Sequence, residues 1–104
     1  MAVTSKALAR TAAATSNTTL YTVPTTSTTT IITNIVVTNT ATSSGTFTIN
    51  FDGVAALSGV AIAANSTAFF DLKQTLPANA TPKTITGSAS ATTINFHISG
   101  VEIV

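Results

Sequence analysis

At 104 residues the chain has the size of one domain, and a prior of about 150 residues per domain leaves no room for a second core. Hydrophobic residues make up 44% and charged residues only 7%, against roughly 25% charged in an ordinary soluble domain. This excludes the disordered class, which joins low hydrophobicity to high net charge, and a formal net charge of +1 gives no field to gather nucleic acid. The absence of cysteine excludes disulfides and thiolate metal sites, and no apolar run reaches the roughly 18 residues of a membrane-spanning helix.

Threonine, with serine and asparagine, fills the place of the missing charges. Thr is β-branched, stiff at χ1 and favoured on pleated, half-exposed surfaces. A surface wetted by hydroxyls has little electrostatic self-repulsion and tolerates close neighbours, which suits an assembled particle.

Residues 1–17 are basic, hydroxyl-rich and free of acids, and are expected to form an N-terminal arm ahead of a domain at 18–104. Within the arm, residues 5–14 also fit a short helix capped by Ser5, with Leu8 as its one large apolar residue; such a helix is marginal alone. The segment superficially resembles a transit peptide but lacks the apolar stretch of a secretory signal. The first acid of the whole chain is Asp52, so an arm of an acid-poor protein, made in a cytoplasm without a signal peptide, is the preferred reading.

Strands follow. Residues 20–23 form a short one ended by Pro24, which cannot donate to a ladder. After a Thr/Ser loop, residues 31–39 (IITNIVVTN) are the strongest strand. Residues 46–52 alternate, with Phe47, Ile49 and Phe51 on one face and Thr48 and Asn50 on the other. Asp52-Gly53 is the dipeptide preferred in a two-residue hairpin turn with positive φ. Residues 54–62 return, with Gly59 marking a bulge. Residues 66–72 place Ala68, Phe70 and Leu72 on one face, and 74–83 are expected as a loop. Residues 84–88 and 92–104 complete the set. In the last strand Ile94, Phe96 and Ile98 share a face, and a bulge at Gly100 is expected to switch the apolar set to Val101 and Ile103. Short strands with regular turns predict an all-β fold, a single antiparallel β-sandwich of jelly-roll or Ig-like type.

Chemistry has little to work with. His97 is the only histidine, and the acids are Asp52, Asp71 and Glu102. A Ser–His–Asp triad is conceivable by count, but there is no G-x-S-x-G elbow. Alternation puts His97 opposite Phe96 and Ile98, so an exposed or interfacial polar residue outweighs a catalytic one. One His and three scattered acids show no metal-ligand spacing, and no cofactor is expected. Asp71 and Lys73 read as a solvated pair of small value. Asn17, Asn65 and Asn79 each open a glycosylation acceptor pattern, which chance produces readily in a chain so rich in Thr and Ser. The alternation of Thr46/Thr48, Thr84/Thr86 and Thr28/Thr30 resembles ice-binding ladders but lacks their coil period; Thr on the wet face of a strand is the better account.

The segments LYTVP (20–24), IITNIVVTNT (31–40), FTINFDG (47–53), IAANST (62–67), DLKQ (71–74) and HISGVEI (97–103) together resemble small bacteriophage virion proteins. The resemblance runs over most of the chain from Leu20 and carries no catalytic signature. It implies a β-sandwich in a phage particle: a head decoration (cement) protein, or alternatively a tail, baseplate or fibre component. Partners implied are copies of the chain, as a trimer at capsomer junctions, and the major capsid or other virion proteins on the particle exterior. Candidate assembly contacts are Lys6, Leu8, Arg10, His97, Val101 and Ile103. From another class, a carbohydrate-binding module would share the fold, though such modules stack sugars on exposed aromatics, and Tyr21 is the only Tyr.

Overall fold

The computed structural model describes residues 2–104. Among these described residues eight strands follow one another without a helix: β1 (Val3–Ala12), β2 (Thr18–Thr22), β3 (Thr29–Asn39), β4 (Gly45–Phe51), β5 (Val54–Ile62), β6 (Ser66–Leu76), β7 (Thr84–Ala89) and β8 (Ile94–Ile103). They form two four-stranded antiparallel sheets, β1-β8-β3-β6 and β2-β7-β4-β5. The pairs β1·β8, β2·β7, β3·β6 and β4·β5 nest inside one another, as in one long hairpin closed at β4–β5 and wrapped into two layers. Additional ladders, β3·β8 and β4·β7, complete the sheets. This is the jelly-roll order and not the immunoglobulin one. The body measures 46 × 22 × 17 Å.

The hairpin is closed by the expected turn: Asp52 and Gly53 have φ of 54° and 76°, the positive values that a two-residue type I′ turn demands. Gly59 also has positive φ, and β5 carries an extra residue there opposite Thr48, whose Oγ1 accepts from the Gly59 N–H at 3.0 Å. β6 continues to Leu76, beyond the expected end of the strand, because Gln74, Thr75 and Leu76 pair with Ile32, Ile31 and Thr30.

The segment before Asn17 departs from expectation most. It is extended, and it is the edge strand of a sheet, paired with β8 from Val3 to Ala12. Neither a separate arm nor a helix forms, because Leu8, Ala9 and Ala13 are buried in the common core. The corner beyond β1 also stitches the two layers together: the Ala13 N–H donates to Ile94 O of β8, and Ala14 O accepts from the Ala89 N–H of β7.

Between the sheets lie Ile32, Ile35, Val37, Phe96 and Ile98 from one layer and Phe47, Ile49 and Ile85 from the other, all at most 1% exposed. Phe47 meets Phe70 and Phe96 of the opposite sheet edge-on, with ring centroids 6.0 and 6.1 Å apart, the geometry that ring quadrupoles favour.

The expected bulge at Gly100 lies in its neighbours instead. β8 keeps its alternation, with Ile94, Phe96, Ile98 and Gly100 all buried. The extra residues are Leu8 in β1, opposite the Ile98–Ser99 step, and Thr33 in β3, opposite the Ser99–Gly100 step. The cause is space: a Cβ on Gly100 would collide with the Ile31 carbonyl oxygen and lie 2.9 Å from Leu8 Cδ1. Val101 and Ile103 therefore stay on the outer face with His97, and Glu102 points inward.

Candidate assembly surface

The register of the first sheet arranges its outer face in rows. Arg10, His97, Val36 and Phe69 form one row from β1 across β8 and β3 to β6. To one side lie Ala12, Asn95, Thr38 and Thr67; to the other, Ala7, Ser99, Asn34 and Asp71. Beyond these come Ser5, Val101, Ile31 and Thr75, then Val3, Ile103 and Thr29. Phe69 is 76% and Val3 61% exposed.

Four of the six candidate contacts, Arg10, His97, Val101 and Ile103, share this face. Leu8 does not, because as the bulged residue it turns into the core at 8% exposure. Lys6 pairs across from inward-facing Gly100 and reaches Glu102, its Nζ 3.4 Å from Oε1.

The other sheet contrasts in chemistry. Its strands contain no charged residue, and its outer face is hydroxyls and amides on β2, β7 and β4, with Ala55 and Ala61 outward on β5 and Val54 exposed at that strand's start. Thr19, Thr86 and Asn50 share a row, beside Thr48 with Ser88 and Thr22 with Thr84. Asn50 Nδ2 donates to Thr86 Oγ1 at 3.2 Å and to Asn17 Oδ1 at 3.3 Å. Thr46/Thr48 and Thr84/Thr86 sit here, on the wet face. Thr28 and Thr30 do not: both are buried, at 1% and 0% exposure.

Thr30 belongs to a polar group between the layers that sequence reasoning missed. Tyr21 of β2 donates its phenol hydrogen to Glu102 Oε2 of β8 at 2.5 Å, and Thr30 Oγ1 of β3 lies 2.8 Å from the same phenol oxygen. Burial and then the Glu102 carboxylate push the Tyr21 pKa up to about 12, while the Thr30 hydroxyl draws it back. A bulge at Leu20 sets the ring, letting consecutive Leu20 and Tyr21 both face inward. At the other end of the sandwich, Asn39 is 1% exposed. It donates from Nδ2 to Ser43 O at 2.9 Å and Ala63 O at 3.3 Å, and its Oδ1 accepts from the Ala41 N–H at 3.0 Å.

The three acids are held apart. Asp52 Oδ2 sits 2.9 Å from Lys83 Nζ at the hairpin turn, Asp71 is on the outer face of edge strand β6, and Glu102 is committed to Tyr21 and Lys6. Among the described residues no group of three His, Asp or Glu stands close enough to hold a metal ion. Asp71 and Lys73, exposed on β6, make no ion pair with each other among the described residues. An open groove of about 620 Å³ runs between edge strands β5 and β6, lined by Phe51, Val54, Leu57, Leu72 and Leu76, with Asp52 and Lys83 at its rim.

No protein-family model matches the chain, and no curated protein is similar to it.

Proposed function

We propose that this chain is a non-enzymatic structural subunit of a bacteriophage particle, most fittingly a decoration protein that stabilises the head exterior through contacts with copies of itself and with the major capsid protein. The observation that carries the reading is the difference between the two outer faces. One sheet presents large apolar side chains, the only histidine and charges without an ion-pair partner among the described residues; the other carries no charge and presents hydroxyls and amides on three strands and small alanines on β5. A sandwich with one adhesive and one wet face is built to lie against a protein surface. The jelly-roll order adds support by analogy, since capsid and lectin domains use it, and the sequence resemblance points to virions. Many repeated copies would turn a weak contact per subunit into firm attachment.

The copy number relative to the major capsid protein in purified particles, by quantitative mass spectrometry, tests this. A ratio near unity supports head decoration. A ratio of a few per cent moves the chain to the tail, baseplate or fibre, and absence from particles overturns the virion reading. Carbohydrate binding, a second reading, rests on Phe69: Tyr21 is spent inside, and Phe69 alone among the aromatics stands exposed enough to stack a sugar. Specific binding on a glycan array would favour it.

A further inference from the structure

We propose that the chain pairs with a second copy through the outer face of the sheet β1-β8-β3-β6, about a two-fold axis parallel to the strands. The inference rests on the reading that this chain works through protein contacts, and it names the face and the partner.

The charges single out the face. Lys6 is paired with Glu102, and Lys83 with Asp52. Arg10, Asp71 and Lys73, together with His97, make no ion pair among the described residues, and all four lie on this one face. Arg10 and His97 stand toward the β1 edge, Asp71 and Lys73 on the β6 edge. Within one copy Arg10 and Asp71 are three strand spacings apart, about 14 Å, too far to pair. The face carries Arg10 at one margin and, at the other, Asp71 beside the exposed Phe69 ring with Lys73 further along the strand, so Arg10 of one copy complements Phe69 and Asp71 of a rotated second copy.

The rows fix the rotation. A two-fold axis in the interface, running along the strands between β8 and β3, lays β1 of one copy over β6 of the other and β8 over β3. Each row then meets its own row. Val101 meets Ile31, Ser99 meets Asn34, His97 meets Val36 and Asn95 meets Thr38. At the margins Arg10 comes over the Phe69 ring, a cation–π placement, with Asp71 one row away, about 7 Å along the strand. Lys73 comes to face the small side chains of Ser5 and Ala7. An axis across the strands would reverse the rows and set Val101 and Ile31 against Asn95 and Thr38, apolar groups against amide and hydroxyl. Four strands of this length cover about 600 Å² per copy, so the pair buries about 1,200 Å², at the low end of specific interfaces. In place of the trimer implied by the sequence resemblance, the face defines a closed dimer.

Sedimentation velocity of the full chain, from about 1 μM to about 1 mM, tests the dimer. A mass saturating at two chains is expected. Arg10→Asp and Asp71→Arg should each raise the dissociation constant about tenfold or more, and the R10D/D71R double variant should return it to within about threefold of the parent. Thr86→Arg, on the opposite face, should leave it unchanged, and circular dichroism melts show that each variant folds. A chain that stays monomeric throughout, a three-chain species, open-ended growth, or a double variant no better than the singles would overturn the proposal. A monomeric chain found at capsid-level copy number would sink the dimer and spare the virion reading; a dimer absent from particles would do the reverse.

Discussion

Tyr21 on one sheet and Glu102 on the other share a hydrogen bond of 2.5 Å across the sandwich, with Thr30 and Lys6 closing the group around them. It is one of a few polar ties between two layers held mainly by apolar packing. Removing one member of a buried group leaves the others without partners, which costs more than the bond itself contributes. Tyr21→Phe should therefore lower unfolding free energy by about 1–3 kcal/mol, measured by urea denaturation at neutral pH.

The same tie predicts a pH dependence. Burial and the Glu102 carboxylate push the Tyr21 phenol up to about 12 in the folded chain, from an ordinary value of 10.0, so folding disfavours the phenolate. The contribution is fully present below pH 10 and is lost as pH rises through 12. Denaturation midpoints should fall across that window in the parent. Tyr21→Phe should remove that part of the fall; an identical decline in both proteins would show that Tyr21 is not its source.

Gly100 and Gly59 should respond oppositely to what backbone angles alone suggest. Gly59 has positive φ but open space around it, so Gly59→Ala carries only the left-handed penalty of about 1–2 kcal/mol. Gly100 has no such angle, yet a Cβ there meets the Ile31 carbonyl and Leu8. Gly100→Ala should cost about 3 kcal/mol, through overpacking and displacement of a buried backbone. Equal losses in thermal denaturation would refute this account of the bulges beside Gly100.

These cases mark what was legible in the sequence. β4 and β5 could be read because Phe47, Ile49 and Phe51 alternate and Asp52-Gly53 can hardly be anything but a turn. The outward position of His97 followed from the same periodicity. β1 was not legible: Ala, Ser, Lys and Arg lack strand propensity, and its strand is formed by pairing with β8, a tertiary effect. The bulges at Leu8 and Thr33 were hidden because a shift in β8 and a shift in its neighbours leave the same local pattern. The Tyr21–Glu102 tie joins residues far apart in the chain, and no local spacing announces it.

Asn39 is the second polar anchor, and its chemistry fixes the order of its variants. Nδ2 donates to the Ser43 and Ala63 carbonyls, while Oδ1 accepts from the Ala41 N–H. Asn39→Ala strands all three groups and should cost about 2–4 kcal/mol by urea denaturation. Asn39→Asp keeps the acceptor but sets a carboxylate against two carbonyl oxygens. It should therefore be the worse of the two at pH 7, and should recover part of the loss in mild acid, where protonation restores a donor. A pH-independent deficit would argue against this hydrogen-bond arrangement.

Phe69 and Phe70 are chain neighbours whose side chains point to opposite sides of one strand, and they separate folding from assembly. Phe70 packs edge-on against Phe47 between the layers, so Phe70→Ser should cost about 3 kcal/mol or more of stability. Phe69 is 76% exposed, and Phe69→Ser should change monomer stability by no more than about 0.5 kcal/mol. Its effect belongs instead to contacts made on the outer face. Chemical denaturation at low concentration, where any dimer has dissociated, isolates the monomer term, and sedimentation near the top of the soluble range isolates the contact. A Phe69 variant that lost stability at low concentration would mean that β6 is turned over relative to this structure, because a one-residue slip exchanges the two rings.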